Sequence, residues 1–382
     1  MRWVGIVIVT ACSYTAPPTE TPVDGAPADE MVADPCAVTA IAAYGAHTCV
    51  VRADGSVWCW GNDDHLELGV ASSTSCTTDD VPCSPSPLQV SIAPATAIGM
   101  GDEQTCATTA NGTMCWGRNE DGELGTGSSE RGTLPVLVPA RAGAVEFVGG
   151  QTHLCSRDQA STVSCAGNNQ LGELGDGTGA QQVTPVSVEL GGGATTIGGG
   201  YNHTCAIVGG IVSCWGSNTS NQVDASSDAI KLAPVARTDI TNAVQVVGGV
   251  SHSCVRLADQ TAMCWGGNDE GQLGDGTTTN TTVRTPTLVA LTGIEALSAG
   301  VDHTCALAGG QVSCWGENYT ARPAVVALPG PATLIASGSY HDCAVLTDGS
   351  TWCWHWQAFG QLGNGTIDDQ FATVAVQAVT CP

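Results

Sequence analysis

The sequence predicts an all-β chain, a closed array of seven repeated units each built on a disulfide-stapled hairpin, and three observations carry that expectation. One is a stretch that recurs along the chain, in its clearest form Gly300 to Gly316, GVDHTCALAGGQVSCWG. Another is the cysteine content, 19 in 382 residues, which falls almost completely into pairs. The third is composition: 49 glycines and 12% charged residues suit many tight turns between short strands, and no helix-period stretch stands out.

Two apolar, β-favouring runs flank Gly309 and Gly310, and a Gly-Gly pair supplies the positive φ angles that a two-residue hairpin turn demands. That turn fixes the pairing. Ala308 faces Gln311, Leu307 faces Val312, Ala306 faces Ser313 and Cys305 faces Cys314. Cys305 and Cys314 then form a non-hydrogen-bonded pair, where Cα atoms approach to about 4.5 Å, inside disulfide range. The unit recurs with Cys49 and Cys59, Cys106 and Cys115, Cys155 and Cys165, Cys205 and Cys214, Cys254 and Cys264, and Cys343 and Cys353. In CVVRADGSVWC and CAVLTDGSTWC the spacing is one longer, and a three-residue loop ending in Gly55 or Gly349 restores the facing arrangement through a bulge. In the second repeat a turn at Asn111 and Gly112 does not set Cys106 squarely opposite Cys115, so the register there stays open.

Taken in order, the chain opens with Arg2, an apolar run from Trp3 to Val9, and then Thr10, Ala11 and Cys12, which reads as a secretory signal. The V-T-A-C sequence resembles the bacterial lipoprotein signal, in which the cysteine becomes the lipidated first residue. An ordinary secretory signal with a stray cysteine is the alternative. The lipoprotein reading makes 1-11 a signal peptide and Cys12 a lipid anchor, and places the protein outside the cytoplasm, on the outer membrane or surface of a bacterial cell envelope. Residues 12-35, rich in Pro, Thr, Ala and acid, read as a disordered tether that cannot bury a core. The repeated domain is 36-381. Its first repeat carries the longest insertion, Val70 to Pro87, in which Cys76 and Cys83 form a local pair. After each hairpin comes a Gly-rich turn such as GRNEDGELGTG or GGNDEGQLGDG, then a Pro-containing extended strand such as TPTLVAL.

Bridges on this scale imply folding in an oxidising compartment. Zinc competes for the same cysteines, but each unit lacks the C-x-x-C knuckles that zinc sites favour. With 36 acidic against 11 basic residues the net charge is −25, which repels a phosphate backbone and argues against nucleic acid as a partner. Six histidines, His47, His153, His203, His252, His303 and His341, recur one per unit and cannot converge on one metal ion, so a structural role bonding backbone within their own unit is expected. Trp60, Trp116, Trp215, Trp265, Trp315 and Trp354 read as packing between units. Asp176 and Asp275 sit in Asp-Gly-Thr turns that an Asx-type turn explains better than calcium. There is no G-x-S-x-G, phosphate-cradling loop or spaced carboxylate pair, so no catalytic residue, metal or cofactor is expected. Trp58, Trp352, Trp356 and Phe359 break the repeat average, and with His355 the last two are the candidate binding residues.

The succession G-x-x-H-T-C-A, G-x-V-x-C-W-G, N-x-x-G-x-L-G-D-G-T resembles the repeats of the regulator of chromosome condensation family, over about Cys36 to Cys381. The resemblance implies a seven-bladed β-propeller, each repeat supplying a four-stranded blade. Stacking agrees with it, because short strands that cannot bury both faces alone need neighbours and a ring removes exposed ends. The equivalents of TPTLVALTGIEALSAG are divided between Thr373 to Thr380 and Val38 to Gly45, so one blade is expected to be built from both chain ends, with Cys36 bridged to Cys381 at the break.

The departures from the pattern are Gln104 for histidine, Ala166 for tryptophan, a fourth repeat that degenerates after Asn218, a sixth without the Gly-rich turn, and His355 with Trp356 in the seventh. Irregular loops on a regular ring are where binding specificity sits. The expected function is a non-catalytic, envelope-anchored scaffold, monomeric, recognising an unknown protein or glycan through propeller-face loops and touching membrane only through its anchor. The alternative is regulation of another protein, as an inhibitor of a secreted enzyme or, as the resemblance implies, a guanine-nucleotide exchange factor.

Overall fold

The computed structural model describes residue 34, residues 36–76 and residues 80–379. Cys12, the signal and tether that precede residue 34, and Cys381 with its bridge to Cys36 lie outside the described residues. Among the described residues the strands form seven antiparallel sheets, arranged as the blades of a propeller. Six sheets hold four strands in chain order, and the first adds the short strand Thr74–Ser75 at its edge. In blade 1 the innermost strand Val38–Tyr44 is followed by His47–Arg52, Val57–Asn62 and the outermost Pro82–Gln89.

Hairpin register follows the turn chemistry. Gly309 and Gly310 have φ of 56° and 78°, and the strands they join pair Ala308 with Gln311 and Cys305 with Cys314. In blade 1 the Gly55 N–H donates to Arg52 O at 2.8 Å and the Arg52 N–H to Ser56 O at 2.9 Å, the three-residue bulged loop. The second hairpin turns one residue earlier than Asn111 and Gly112. Thr109 faces Gly112, and its Oγ1 donates to Gly112 O at 2.9 Å and accepts from the Asn111 N–H at 3.1 Å, closing the turn around Ala110 and Asn111. Cys106 therefore faces Cys115 squarely. Each blade carries one such cysteine pair on its two central strands, with Cα atoms 4.0–4.1 Å apart.

The blades are contiguous in sequence, which corrects the expectation of one blade built from both ends. The last sheet is Ala332–Ser337, His341–Leu346, Thr351–Gln357 and Asp368–Val379, and the first holds only residues of the first repeat. The reason lies in the segment TPTLVALTGIEALSAG. Its first half belongs to Thr279–Leu288, outermost in blade 5, and its second to Ile294–Ala299, innermost in blade 6. It links two blades, so dividing it divides no sheet. The chain ends meet at the joint between blades 7 and 1, where Val38 and Ile41 pack with Ala378.

The joints explain the repeated residues, and here the histidine expectation is corrected as well. Each imidazole reaches the next blade instead of its own backbone: His47 Nε2 lies 2.9 Å from Thr105 Oγ1, His203 Nε2 2.8 Å from Ser253 Oγ, and His341 Nε2 2.7 Å from Thr48 Oγ1. Those hydroxyls already donate to a carbonyl of the turn that follows the third strand of the preceding blade, as Ser253 does to Gln222 O at 2.9 Å, so the histidine must donate through Nε2. The same carbonyls accept the indole N–H of the next blade, Trp116 to Glu67 O at 2.7 Å, Trp265 to Gln222 O at 2.8 Å and Trp60 to Gln361 O at 2.8 Å. Burial holds His47, His153 and His252 down at about 3 and His203 and His341 at about 4, so these rings stay neutral in the fold.

Departures from the repeat come with replacements. Gln104 donates through Nε2 to Gly150 O and His153 O at 3.2 and 3.1 Å. Where Ala166 and Leu154 stand for Trp and Thr, the buried Arg141 enters the joint, donating to Leu124 O, Glu123 O, Leu154 O and Ser156 Oγ at 2.9–3.1 Å. Where the sixth repeat has no Gly-rich turn, the Tyr319 hydroxyl accepts the Trp354 indole N–H at 2.6 Å and donates to Asp342 at 2.9 Å.

Candidate functional site

In an antiparallel four-stranded blade, the turn from innermost to second strand and the connection from third to outermost strand emerge at the same end. The inner turns therefore ring the axis at one face, inside the longer connections. Their backbones are stitched together from blade to blade: the Asp102 N–H donates to Gly150 O at 3.0 Å, Gln151 to Tyr201 O at 2.9 Å, Tyr201 to Gly249 O at 3.1 Å, Val250 to Val301 O at 2.9 Å, and Ser339 to Gly45 O at 2.8 Å. Because the ring is held by backbone, its side chains vary freely, as Asp102, Gln151, Tyr201, Val250, Val301 and Ser339 do.

Above this ring opens a mouth of about 610 Å³, whose lining includes Asp64, Asp102, Glu103, Tyr201, Tyr340, Trp356 and Phe359. Beneath it the innermost strands enclose an axial cavity of about 350 Å³. Trp356 organises the aromatic side of the mouth. Its backbone N–H donates to Tyr340 O at 3.1 Å, and its ring stands edge-on to Tyr340 at 5.8 Å and to Phe359 at 5.3 Å between centroids.

The other side is acidic. Burial, reinforced by the neighbouring Glu103, pushes the Asp102 carboxyl up to about 7. Desolvation first, and the Asp102 charge second, raise the phenols of Tyr44 and Tyr201. Glu103 is shared: one oxygen lies 3.5 Å from Arg118 Nη1 and the other 3.5 Å from His65 Nδ1. His65, Glu67 and Glu103 bring their ligand atoms within 4.8 Å of one another, the grouping here best suited to a cation. Glu67 is nevertheless engaged, accepting Asn62 Nδ2 at 2.9 Å and the His65 backbone N–H at 2.8 Å, the turn-bracing role that Glu173 plays for Leu171. A second grouping, His303, Cys305 and Asp342, loses Cys305 to its bond with Cys314.

Of the candidate binding residues, Trp356 and Phe359 lie together in the mouth and His355 turns away from it. The His355 ring packs edge-on against Tyr319 at 4.7 Å with Nδ1 3.4 Å from Asp342, inside the joint between blades 6 and 7. Trp58 and Trp352 sit beside the hairpin turns at the opposite end, donating to Ser56 and Ser350 hydroxyls at 3.0 and 2.9 Å. Cys76 is bridged to Cys83 in the insertion. Asp176 and Asp275 each accept the backbone N–H two residues on at 2.8 Å, an Asx turn. Asp102, Tyr201 and Tyr340 were not singled out from the sequence. For Asp102 and Tyr201 the signal was there, in the variable position after the repeated glycine of each inner turn, a position that Ser339 takes in the turn of Tyr340.

Residues 38–65, 243–272, 115–156 and 263–307 match models of the Regulator of chromosome condensation (RCC1) repeat. The chain is 29% identical over 121 residues to the human E3 ubiquitin-protein ligase HERC2, covering 31% of this chain and 2% of that protein. It is 29% identical over 110 residues to the mitochondrial RCC1 domain-containing protein RUG3 of Arabidopsis thaliana, covering 28% of this chain and 25% of that protein. Both curated relatives are thus spanned only in small part. Among solved structures it resembles Prp20p of Saccharomyces cerevisiae, a protein with binding properties to Gsp1p and histones, with a TM-score of 0.75, 19% identity, and coverage of 85% of this chain and 86% of that one. Segments in blades 1, 2, 3, 5 and 6 thus match the regulator of chromosome condensation repeat, and the described residues fold as a seven-bladed β-propeller.

Proposed function

We propose that this protein is a non-catalytic binding scaffold that recognises a protein through the face bearing the mouth. One observation carries the reading. The described parts of the irregular segments Val70 to Pro87, Thr219 to Asp228, Tyr319 to Arg322 and His355 to Phe359 all belong to connections between third and outermost strands, or border them, so they gather on that single face. The repeated residues are used up in the joints, which leaves this face free to vary. A protein interface needs an aromatic centre within a polar rim, and Trp356 with Phe359 beside Asp64 and Glu103 supplies one. Prp20p, similar in fold, has binding properties to Gsp1p and histones; the related reading is that binding regulates the partner's activity, as an inhibitor of a secreted enzyme or, less in keeping with a secretion signal, as an exchange factor. Replacing Trp356 and Phe359 together by alanine is expected to abolish partner capture while the melting temperature stays within a few degrees. Retained capture, or reproducible turnover of a substrate by the purified chain, overturns the proposal.

The same reading places the scaffold outside the cytoplasm, tethered to a bacterial envelope through Cys12 as a monomer. Its support is the V-T-A-C sequence together with a disulfide in every blade. Cys12→Ser is expected to move the protein from the membrane fraction to the soluble one, and unchanged fractionation removes the anchor.

A further inference from the structure

We infer that the mouth takes a basic segment of its partner, one arginine or lysine side chain entering along the propeller axis with its charge against Asp102 and its stem against Trp356 and Tyr340. This rests on the reading of the mouth as the binding face and adds the chemistry of what enters it.

Asp102 carries the inference. It stands in the ring of inner turns, where the other repeats place Gln151, Tyr201, Val250, Val301 and Ser339, so nothing in the fold requires an acid there. Its backbone N–H makes the ring bond to Gly150 O, yet among the described residues no hydrogen bond or ion pair reaches its carboxylate. A half-buried carboxylate that faces a cavity without a protein partner is partly desolvated, and an incoming cation offsets that cost. The nearest fixed cation, Arg118, is committed elsewhere, to Glu103, Glu120, Asp121 and Glu123 at 3.2–3.6 Å.

The rest of the lining fits the same visitor. It contains no lysine, arginine or histidine, while Asp64 and Glu103 add negative charge at the rim. Tyr201, Tyr340, Trp356 and Phe359 offer ring faces and edges on which a guanidinium or an ammonium stem stacks. A side chain carried by a segment is favoured over a free small cation because the lining is contributed by six blades, from Gly45 in blade 1 to Tyr340 in blade 7, and so opens onto the face where the outer connections lie. A chain segment lying across the face reaches the axis with one residue and the outer connections with its flanks.

The test must separate this site from the attraction that a chain of net charge −25 exerts on any cation. The probe is an acetylated, amidated glycine-rich nonapeptide with one central arginine, titrated against the full chain at pH 8, alongside its lysine and citrulline counterparts and free tetramethylammonium. Expected are at least tenfold weaker binding of the citrulline peptide than of the arginine peptide, a similar loss for the arginine peptide with Asp102→Asn, and less than twofold change with Glu189→Gln, an exposed acid outside the mouth. Equal losses with Asp102→Asn and Glu189→Gln, or equal binding of the citrulline peptide, overturn the inference. So does tetramethylammonium binding as tightly as the arginine peptide. If Trp356→Ala with Phe359→Ala abolishes capture of the protein partner while Asp102→Asn leaves it intact, the binding face stands and the cation does not. If neither set of changes affects capture, the face itself is wrong.

Discussion

Arg141 shows how one residue can stand in for two. In most joints an indole N–H and a hydroxyl from the next blade meet the turn carbonyl, and blade 3 offers neither because Ala166 and Leu154 occupy those positions. The guanidinium of Arg141 fills the space and makes four hydrogen bonds there, which a long cation with a planar fork can do and a lysine cannot. Arg141→Ala strips three buried carbonyls of a donor and leaves a cavity, an expected loss of about 3–5 kcal/mol in denaturant unfolding. Adding Leu154→Thr and Ala166→Trp to that variant restores the groups of the other joints, and recovery of at least half the loss is expected. No recovery would show that blade 3 has diverged in backbone as well as in side chains. Ala166 was legible in the sequence as a departure, but Arg141 was not, because the compensating residue lies 25 positions away in a connection that does not repeat (166 less 141).

At the scale of the element, what was readable was whatever a local rule determines. Gly309 and Gly310, Gly55 and Gly349 name their turns, and strand register and cysteine facing follow from them with no tertiary information. Asn111 and Gly112 misled because an Asn-Gly pair is the strongest short-range hairpin signal, while the Thr109 hydroxyl competes for the same backbone and moves the turn by one residue. The histidines misled for a different reason. Their partners lie in the neighbouring blade, Thr105 for His47 one repeat on and Thr48 for His341 at the far end of the sequence, so no spacing within a unit can reveal them. The mouth was half legible: Trp356 and Phe359 stood out by breaking the pattern, whereas Asp102 and Tyr340 gain meaning only when six turns are brought around one axis.

For the whole molecule, the closing joint is the place to test the ring. Blades 1 and 7 share no strand, and they are joined by the His341 to Thr48 bond, the Trp60 to Gln361 bond and the backbone bond from Ser339 to Gly45. Thr48→Val removes the acceptor of His341 there, and Thr204→Val removes that of His153 at an internal joint. Each is expected to cost about 1–3 kcal/mol by leaving a buried N–H unpaired. Amide exchange is expected to rise in Val38–Tyr44 for the first variant and to a similar extent in Thr196–Gly199 for the second, since the expected bridge from Cys36 to Cys381 ties blades 7 and 1 as the linker ties blades 3 and 4; a larger rise in Val38–Tyr44 would show the closing joint to be the weaker one.

That each sheet is built from consecutive strands of one repeat also bears on what a genetic rearrangement can do to the chain. One repeat of sequence is one complete sheet, so an unequal crossover between repeats adds or removes a whole blade and never leaves a strand without its sheet. The His-to-hydroxyl and indole-to-carbonyl bonds recur at every joint except those between blades 2 and 3 and between blades 6 and 7, so a unit inserted at one of these regular joints arrives already able to bond both neighbours. Blade number in such a ring is a quantity that recombination can count in integers, and the face that bears the mouth can be rebuilt one connection at a time.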